Sequence, residues 1–400
     1  MTLNQIAQTY VKLVLAIGNH HEHYIDAYYG PKEWKSDKKE PLESLLEQVQ
    51  ALILDIQEYK TTQDEQTRKD FLLIHAKSAK TFIDQLRGVV LSFDDESLAL
   101  YDAKSPTLDE KVLDSYLNDL DKIIPGKGEL NVRMNEFSKK FIIPTDKLDA
   151  VFEAAITESR RRTKKYIDLD KDENFTIEYV KDKVWSGYNW YKGKNYSVIQ
   201  LNTDFPMQID RAIDLASHEG YPGHHVFNSL MEKHLVDEKG WIEYSVYTLY
   251  SPLSLLAEGS ANYGIELTFN KTNRMKFEKE VLFPLAGLDS NNAQLYYDVQ
   301  DLLKKLSYAG NMVAQQYLDG HINKDKAIGL LMKYSLTNKE KSTQRVAFIE
   351  ANRSYVINYN LGEDIVKEYV LKNARQDNED SKWEVFYELL KNPKTASMMQ

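Results

Sequence analysis

From Pro41 to Tyr59 the apolar residues Leu45, Val49, Leu52 and Ile56 return every three or four positions in an otherwise polar run. That spacing draws one apolar stripe along an α-helix and does not fit a half-buried strand, whose side chains change face at every residue. The periodicity recurs through Phe71, Leu72, His75, Phe82, Ile83 and Leu86, across Leu108 to Leu120, and from His225 almost to the C-terminus. His75 falls inside such an apolar set, which marks it as a core histidine rather than a ligand. A chain written this way buries its interior by packing helix on helix, so the expected fold is mainly α.

A central stretch breaks the pattern. "FTIEYV" and "YSVIQLNTDF" are rich in β-branched and aromatic residues with rough alternation, and "WSGYNWYKGKN" between them supplies turn residues. Together they predict a small antiparallel β element directly ahead of a helical run from Gln208 to Glu219. Its last strand, Tyr196 to Asp204, is a candidate for pairing with a substrate backbone. Breakers at Pro125-Gly126-Lys127-Gly128 and at Pro144, with Thr145 or Asp146 as the cap of the next helix, divide the chain into an N-terminal helical lobe, 1–143, and a second lobe, 144–400. A chain of 400 residues exceeds the usual size of one core, in keeping with two lobes.

Composition excludes several classes of function. The formal charge of -10 argues against nucleic acid, and the one basic run, Arg160 to Lys165, continues a helical pattern and reads as a solvated face. No stretch approaches the ~20 consecutive apolar residues of a membrane helix. The best, Val11 to Ile17, is broken by Lys12 and has no basic residues before it, so no span is expected and the expected location is the cytoplasm. With no cysteine, any metal must be held by histidine and carboxylate.

Such a set stands at residues 217 to 225, "SHEGYPGHH", which holds three of the nine histidines. On a regular helix, histidines at i and i+4 share one face and one zinc ion, and the glutamate beside the first activates water. Here the later histidines, His224 and His225, follow His218 by six and seven positions. Along an unbroken helix those offsets correspond to roughly 9 and 10.5 Å, too far for two nitrogens on one ion. Pro222 cannot donate to the carbonyl four residues back and Gly223 tolerates unusual backbone, so the pair predicts a bulge or kink that returns one late histidine to His218. His224 needs the smaller correction, whereas His225 has the better angular position and needs more compression. The spacing favours His224 as ligand, with His225 as neighbour or transition-state donor, and leaves the alternative open. Glu258 is the candidate third ligand, a carboxylate in the apolar helical segment "LLAEGSANYGIEL", with Asn262 one turn later placed to accept the second ring N–H of a ligand histidine. Two histidines and one glutamate leave a coordination position open for water, as in catalytic zinc sites. A competing cluster, His20 to His23, has no comparable carboxylate partner and reads as a solvated turn.

"HEGYPGHH" followed by "AEGSANYGIEL" resembles the bacterial domain-of-unknown-function family 885, itself similar to the gluzincin metallopeptidases. The resemblance covers the second half of the chain most clearly and extends to "RSYVINYNLG". It departs at Ser260, where the family usually has Trp, and at Ile349-Glu350-Ala351 in place of Pro-Gly-Gln. It implies a helical, two-lobed zinc metallopeptidase whose second lobe is catalytic. One Zn²⁺ would be held by His218, His224 and Glu258, with Glu219 as general base. Tyr359 is then the nominee for stabilising the tetrahedral intermediate, with His225 and Tyr355 as rivals. Arg353 is a candidate clamp for a substrate carboxylate, and Tyr355 a further substrate contact. The expected substrate is a peptide or small amide. A zinc hydrolase of esters would use the same site, whereas a scaffold protein with a vestigial site would have no need of Glu219.

Overall fold

The computed structural model describes residues 1–183, 185–376 and 378–400, with Asp64 described in its backbone alone. Helices account for 66% of the chain and the strands are few and short, so the fold is mainly α. The stripe between Pro41 and Tyr59 becomes helix Leu42–Glu58, whose buried residues are Leu45, Val49, Leu52 and Ile56. It packs between the N-terminal helix Leu3–Gly18, which opens on a Thr2–Gln5 capping box, and helix Gln66–Leu86. His75, on the last of these, is a core residue: its Nδ1 lies 2.9 Å from the Phe71 carbonyl and its ring stacks on Phe71. After Pro144 neither Thr145 nor Asp146 caps a helix as expected. Thr145–Lys147 forms a single 3₁₀ turn, and the helix that follows, Leu148–Thr163, has no side-chain cap.

Five strands are present among the described residues: β1 Ile25–Tyr28, β2 Asn174–Val180, β3 Gly187–Tyr191, β4 Tyr196–Asn202 and β5 Val246–Thr248. β3 and β4 form the expected antiparallel pair. β3 lies within the segment expected to supply turn residues. The reversal falls instead at Gly193, Lys194 and Asn195, all with positive φ. β2 runs parallel to β4 along its other edge, giving the order β2-β4-β3 and a mixed sheet. The central place of β4 corrects the expectation that it pairs with a substrate, since both of its edges are already bonded. β1 and β5 make a separate antiparallel ribbon.

The larger core draws on residues from Leu3 to Ala396 and crosses residue 143, taking Leu13 and Val49 together with Phe152, Ile213 and Val313. A second cluster, including Phe227, Leu256, Trp383 and Phe386, packs behind helices His224–Met231 and Pro252–Thr268. Helix Pro252–Thr268 lies against helix Ile357–Asn373 at a crossing of two glycines: a Cβ on Gly259 would fall 2.3 Å from the Gly362 backbone. This helix pair and the mixed sheet stand on either side of residues 216–225. No described helix is long and apolar enough to cross a membrane.

Candidate metal centre

Helix Asp210–Leu215 widens into a π-helical turn over Ala216–Gly220. Tyr221 N–H donates to the Ala216 carbonyl five residues back (3.0 Å), and Gly223 N–H to the Ser217 carbonyl six back (2.9 Å). Pro222 has no N–H to continue the ladder, and the Tyr221–Pro222 bond is cis. A Cβ at Gly223 would lie 1.8 Å from the His218 carbonyl oxygen, so no other residue fits the return of the chain. A new helix, His224–Met231, begins at the next residue. The wide turn absorbs the surplus residues and brings His224 against His218, with rings near perpendicular and Nε2 atoms 3.2 Å apart.

Glu258 closes the group from helix Pro252–Thr268, which is buried on nearly every side. Its Oε2 lies 3.2 Å from His218 Nε2 and its Oε1 3.7 Å from His224 Nε2. Tyr355 donates to Oε1 (2.7 Å), while Oε2 is buried with no hydrogen-bond partner among the described residues. Asn262, one turn on, donates its amide to the Tyr359 carbonyl (2.8 Å), which turns its Oδ1 towards His218 Nδ1 (2.9 Å). The neutral imidazole therefore keeps its proton on Nδ1 and aims the Nε2 lone pair at His224 and Glu258. A tetrahedral zinc with bonds of ~2.0–2.1 Å spaces its ligand atoms about 3.3 Å apart. The His218–His224 and His218–Oε2 separations, both 3.2 Å, match that edge length; His224 lies 3.7 Å from the other oxygen, Oε1, which Tyr355 already occupies, and Oε2 is the carboxylate atom left for a cation.

Glu219 borders the same point, its carboxylate within 4.8 Å of ligand atoms of both histidines. Asn189 of β3 holds its backbone carbonyl (2.8 Å). Burial pushes the Glu219 carboxyl up to about 7; the charges of Glu258 and Asp26 add to this, while His218 and Arg211 oppose it. Burial also depresses His218, but Glu258 and Glu219 outweigh it and lift that imidazole to about 9. His224, buried beside His218, falls to about 4. Burial raises Glu258, yet His224, His218 and Tyr355 bring it below the usual carboxylate range. Without a cation, a proton on His218 is what balances the two glutamates.

The structure separates the remaining candidates. His225 does not face the cluster. It is buried on the far side of the helix, with Nδ1 2.8 Å from Ser197 Oγ and Nε2 3.2 Å from Glu173 Oε2, so both ring nitrogens are occupied and the expectation of a transition-state donor is corrected. Tyr221 and Arg160 also donate to Glu173, and part of the basic run read as a solvated face thus serves a buried network. Tyr355 buttresses Glu258 rather than offering its hydroxyl to a substrate. Arg353 is a further correction. It sits in a helix break with φ 49° and bonds Glu96 (2.6 Å), which Ser354 also caps through its N–H and hydroxyl. Tyr359 does lie at the site: its ring is 5.8 Å from that of Tyr355, and burial, with the charge of Glu258, holds its hydroxyl protonated. His20 to His23 diverge, His20 towards the Glu40 carbonyl, His21 onto Phe82 and Tyr250, and His23 to exposed Glu22.

Asp26 of β1 carried no signal in the sequence. It accepts a hydrogen bond from Tyr188 of β3, and burial, together with the nearby charge of Glu258, pushes its carboxyl up to about 7. The partners that hold His225 and Arg353 are likewise remote in the chain and lie in no motif.

No sequence family matches the chain, and no curated protein does. Among solved structures it is similar to a Colwellia psychrerythraea protein described as a lipoprotein, with a TM-score of 0.55 and 14% identity over 92% of this chain and 70% of that one. A Shewanella oneidensis protein described as a lipoprotein of unknown function gives a TM-score of 0.46 and 12% identity over 87% of this chain and 72% of that one. A structure described as BsuCP gives 0.43 and 12% over 98% and 88%. At such identity the Colwellia likeness speaks for the fold alone.

Proposed function

We propose that this protein is a zinc-dependent hydrolase of peptide or amide bonds, with His218, His224 and Glu258 as ligands and Glu219 as general base. The observation that carries this reading is the convergence of two imidazole nitrogens and the Glu258 carboxylate within 3.2–3.7 Å of one another, with the Glu219 carboxylate beside both histidines. The proposed kinship of "HEGYPGHH" and "AEGSANYGIEL" with family 885 and the gluzincins rests on these same residues and points the same way.

When bound, zinc would supply Lewis acidity, polarising a carbonyl oxygen and lowering the pKa of water. The chain's own residues do the rest. Glu219 takes the proton of the attacking water and passes it to the leaving amine. Tyr359 keeps its proton and donates to the oxygen that gains charge. Asn262 fixes the tautomer of His218, and Tyr355 fixes the carboxylate of Glu258.

The test is elemental analysis of the purified protein joined to cleavage of a mixed peptide library with and without a chelator, with ester substrates in parallel. Zinc near one equivalent and chelator-sensitive peptide cleavage support the proposal. Ester turnover alone would reassign the bond, and a metal-free, inactive protein would favour a scaffold with a vestigial site. The proposed location is the cytoplasm. Because the Colwellia fold relative is described as a lipoprotein, cell fractionation is the measurement that decides it.

A further inference from the structure

Helix Lys339–Asn352 carries a further feature beside Tyr359. Its Arg345 is half-buried, with the guanidinium over the Phe348 ring at 4.9 Å, and it has no ion pair and no side-chain hydrogen bond among the described residues. Burial lowers its pKa, and the Tyr359 hydroxyl opposes that shift. Lys341, one turn earlier, lies over Phe205 at 5.4 Å, likewise without a carboxylate partner among the described residues. Elsewhere the inward-turned arginines are matched: Arg68 with Glu243, Arg160 with Glu173, Arg274 with Asp214 and Glu278, Arg353 with Glu96. In a chain with 61 acidic and 51 basic residues, acids are not in short supply.

Tyr359 connects this cation to the metal centre. Its hydroxyl feels Arg345 as well as Glu258 and Glu219. Its ring is 6.4 Å from Phe348 and 5.8 Å from Tyr355, which bonds Glu258. Arg345 is thus linked to Glu258 through the packed rings of Phe348, Tyr359 and Tyr355. A cation withdrawn from water without a partner is costly unless an anion reaches it, and a guanidinium is shaped to take a carboxylate through two parallel bonds.

We infer that Arg345 binds a carboxylate of the substrate close to the scissile bond, the role that Arg353 cannot fill because Glu96 already occupies it. The inference rests on the proposed hydrolase reading for the scissile bond, but the anion site is testable by binding alone. A peptide offers such a group at its C-terminus or on an acidic side chain, and the experiment separates the two.

The full-length protein carrying Glu219→Gln, to prevent turnover, is titrated calorimetrically with an N-acetylated tripeptide as free acid and as C-terminal amide, and with versions bearing Glu or Gln next to the C-terminus. The free acid is expected to bind roughly ten- to hundredfold more tightly than the amide. Adding Arg345→Gln should bring that ratio near one. Arg345→Lys, which keeps the charge and loses the planar fork, should reduce the ratio without abolishing it, and it supplies the test should the Gln variant not fold. A preference that follows Glu over Gln and ignores the terminus keeps Arg345 as the anion site and assigns the acidic side chain. Equal binding of acids and amides, or a preference untouched at Arg345, overturns the inference. Acid-selective binding in a protein that cleaves no amide would overturn the proposed hydrolase alone.

Discussion

The Nε2 atoms of His218 and His224 lie 3.2 Å apart although six positions separate the residues in the chain. An unbroken helix would set them roughly 9 Å apart along its axis. The π-helical turn over Ala216–Gly220 and the return through Pro222 and Gly223 make the difference, so the candidate metal centre depends on a defect in the helix.

Gly223→Ala should therefore abolish the site while leaving every donor in place. A methyl group 1.8 Å from the His218 carbonyl oxygen cannot be accommodated without moving the histidine. We expect a loss of more than about 3 kcal/mol in denaturant unfolding, with zinc stoichiometry near zero. Normal zinc content in a stable Gly223→Ala protein would refute the account of the turn.

Glu219→Gln removes the proposed base and leaves the three proposed ligands untouched. Turnover should fall by about 10²–10⁴-fold, with zinc content equal to that of the parent by elemental analysis. Glu258→Ala should do the reverse and empty the site, whereas Tyr355→Phe, which frees Oε1 of Glu258, should weaken zinc by about 10- to 100-fold. Equilibrium competition with a chromogenic chelator measures both.

His225→Ala addresses the choice between adjacent histidines. It leaves Glu173 and Ser197 short of a buried partner and should cost about 2–4 kcal/mol. Zinc affinity of the folded variant should stay within about threefold of the parent, since the lost ring faces away from the centre. A His225→Ala protein of normal stability that cannot hold zinc would exchange the roles assigned to the two residues.

In the metal-free protein His218 keeps its proton to about pH 9, against 6.5 for a free imidazole. The folded state then binds more protons than the unfolded state between those values, so stability falls as pH rises through that window. Glu219, raised to about 7, adds the same sign at lower pH, while His224, lowered to about 4, adds the opposite sign below 6.5. Glu278, raised by burial to about 8 against the pull of Arg274, contributes with the sign of His218. Calorimetric melting of chelated protein should accordingly show Tm decreasing from pH 7 to 9, with a smaller slope in His218→Gln. Zinc displaces the His218 proton, so the rise in Tm on adding metal should grow over the same range. A Tm that climbs with pH in the chelated protein would contradict these assignments.

The helical stripes were readable because burial on one face writes a period into the sequence: Leu45, Val49, Leu52 and Ile56 are the buried set of their helix. His218, Glu219, His224, Glu258 and Asn262 were readable for a different reason, that their residue types and spacings are chemically unusual. Neither kind of signal reaches Glu96, which takes Arg353 from 257 positions away, or Glu173, which takes His225 from 52. Pairings of that kind are set by which helices happen to adjoin. β3 was hidden because Gly187, Asn189 and the following Gly193 and Asn195 carry the composition of a turn, which masked the strand-favouring Tyr188, Trp190 and Tyr191 whose backbone pairs with β4. The direction of β2 was hidden because alternation is the same for parallel and antiparallel neighbours.

Gly259 and Gly362 hold no donor atom, yet they set the distance between the two helices at their crossing. Glu258 is the immediate neighbour of one glycine. Asn262 lies one turn beyond it, and Tyr359 lies one turn before the other. The hydrogen bonds from Tyr355 to Glu258 and from Asn262 to Tyr359 span that gap and hold only at the present separation. A single methyl group at either glycine would act as a wedge, loosening the ligand carboxylate, the histidine's anchor and the phenol together. Loss of activity would then arise at a position that no survey of polar side chains would think to inspect.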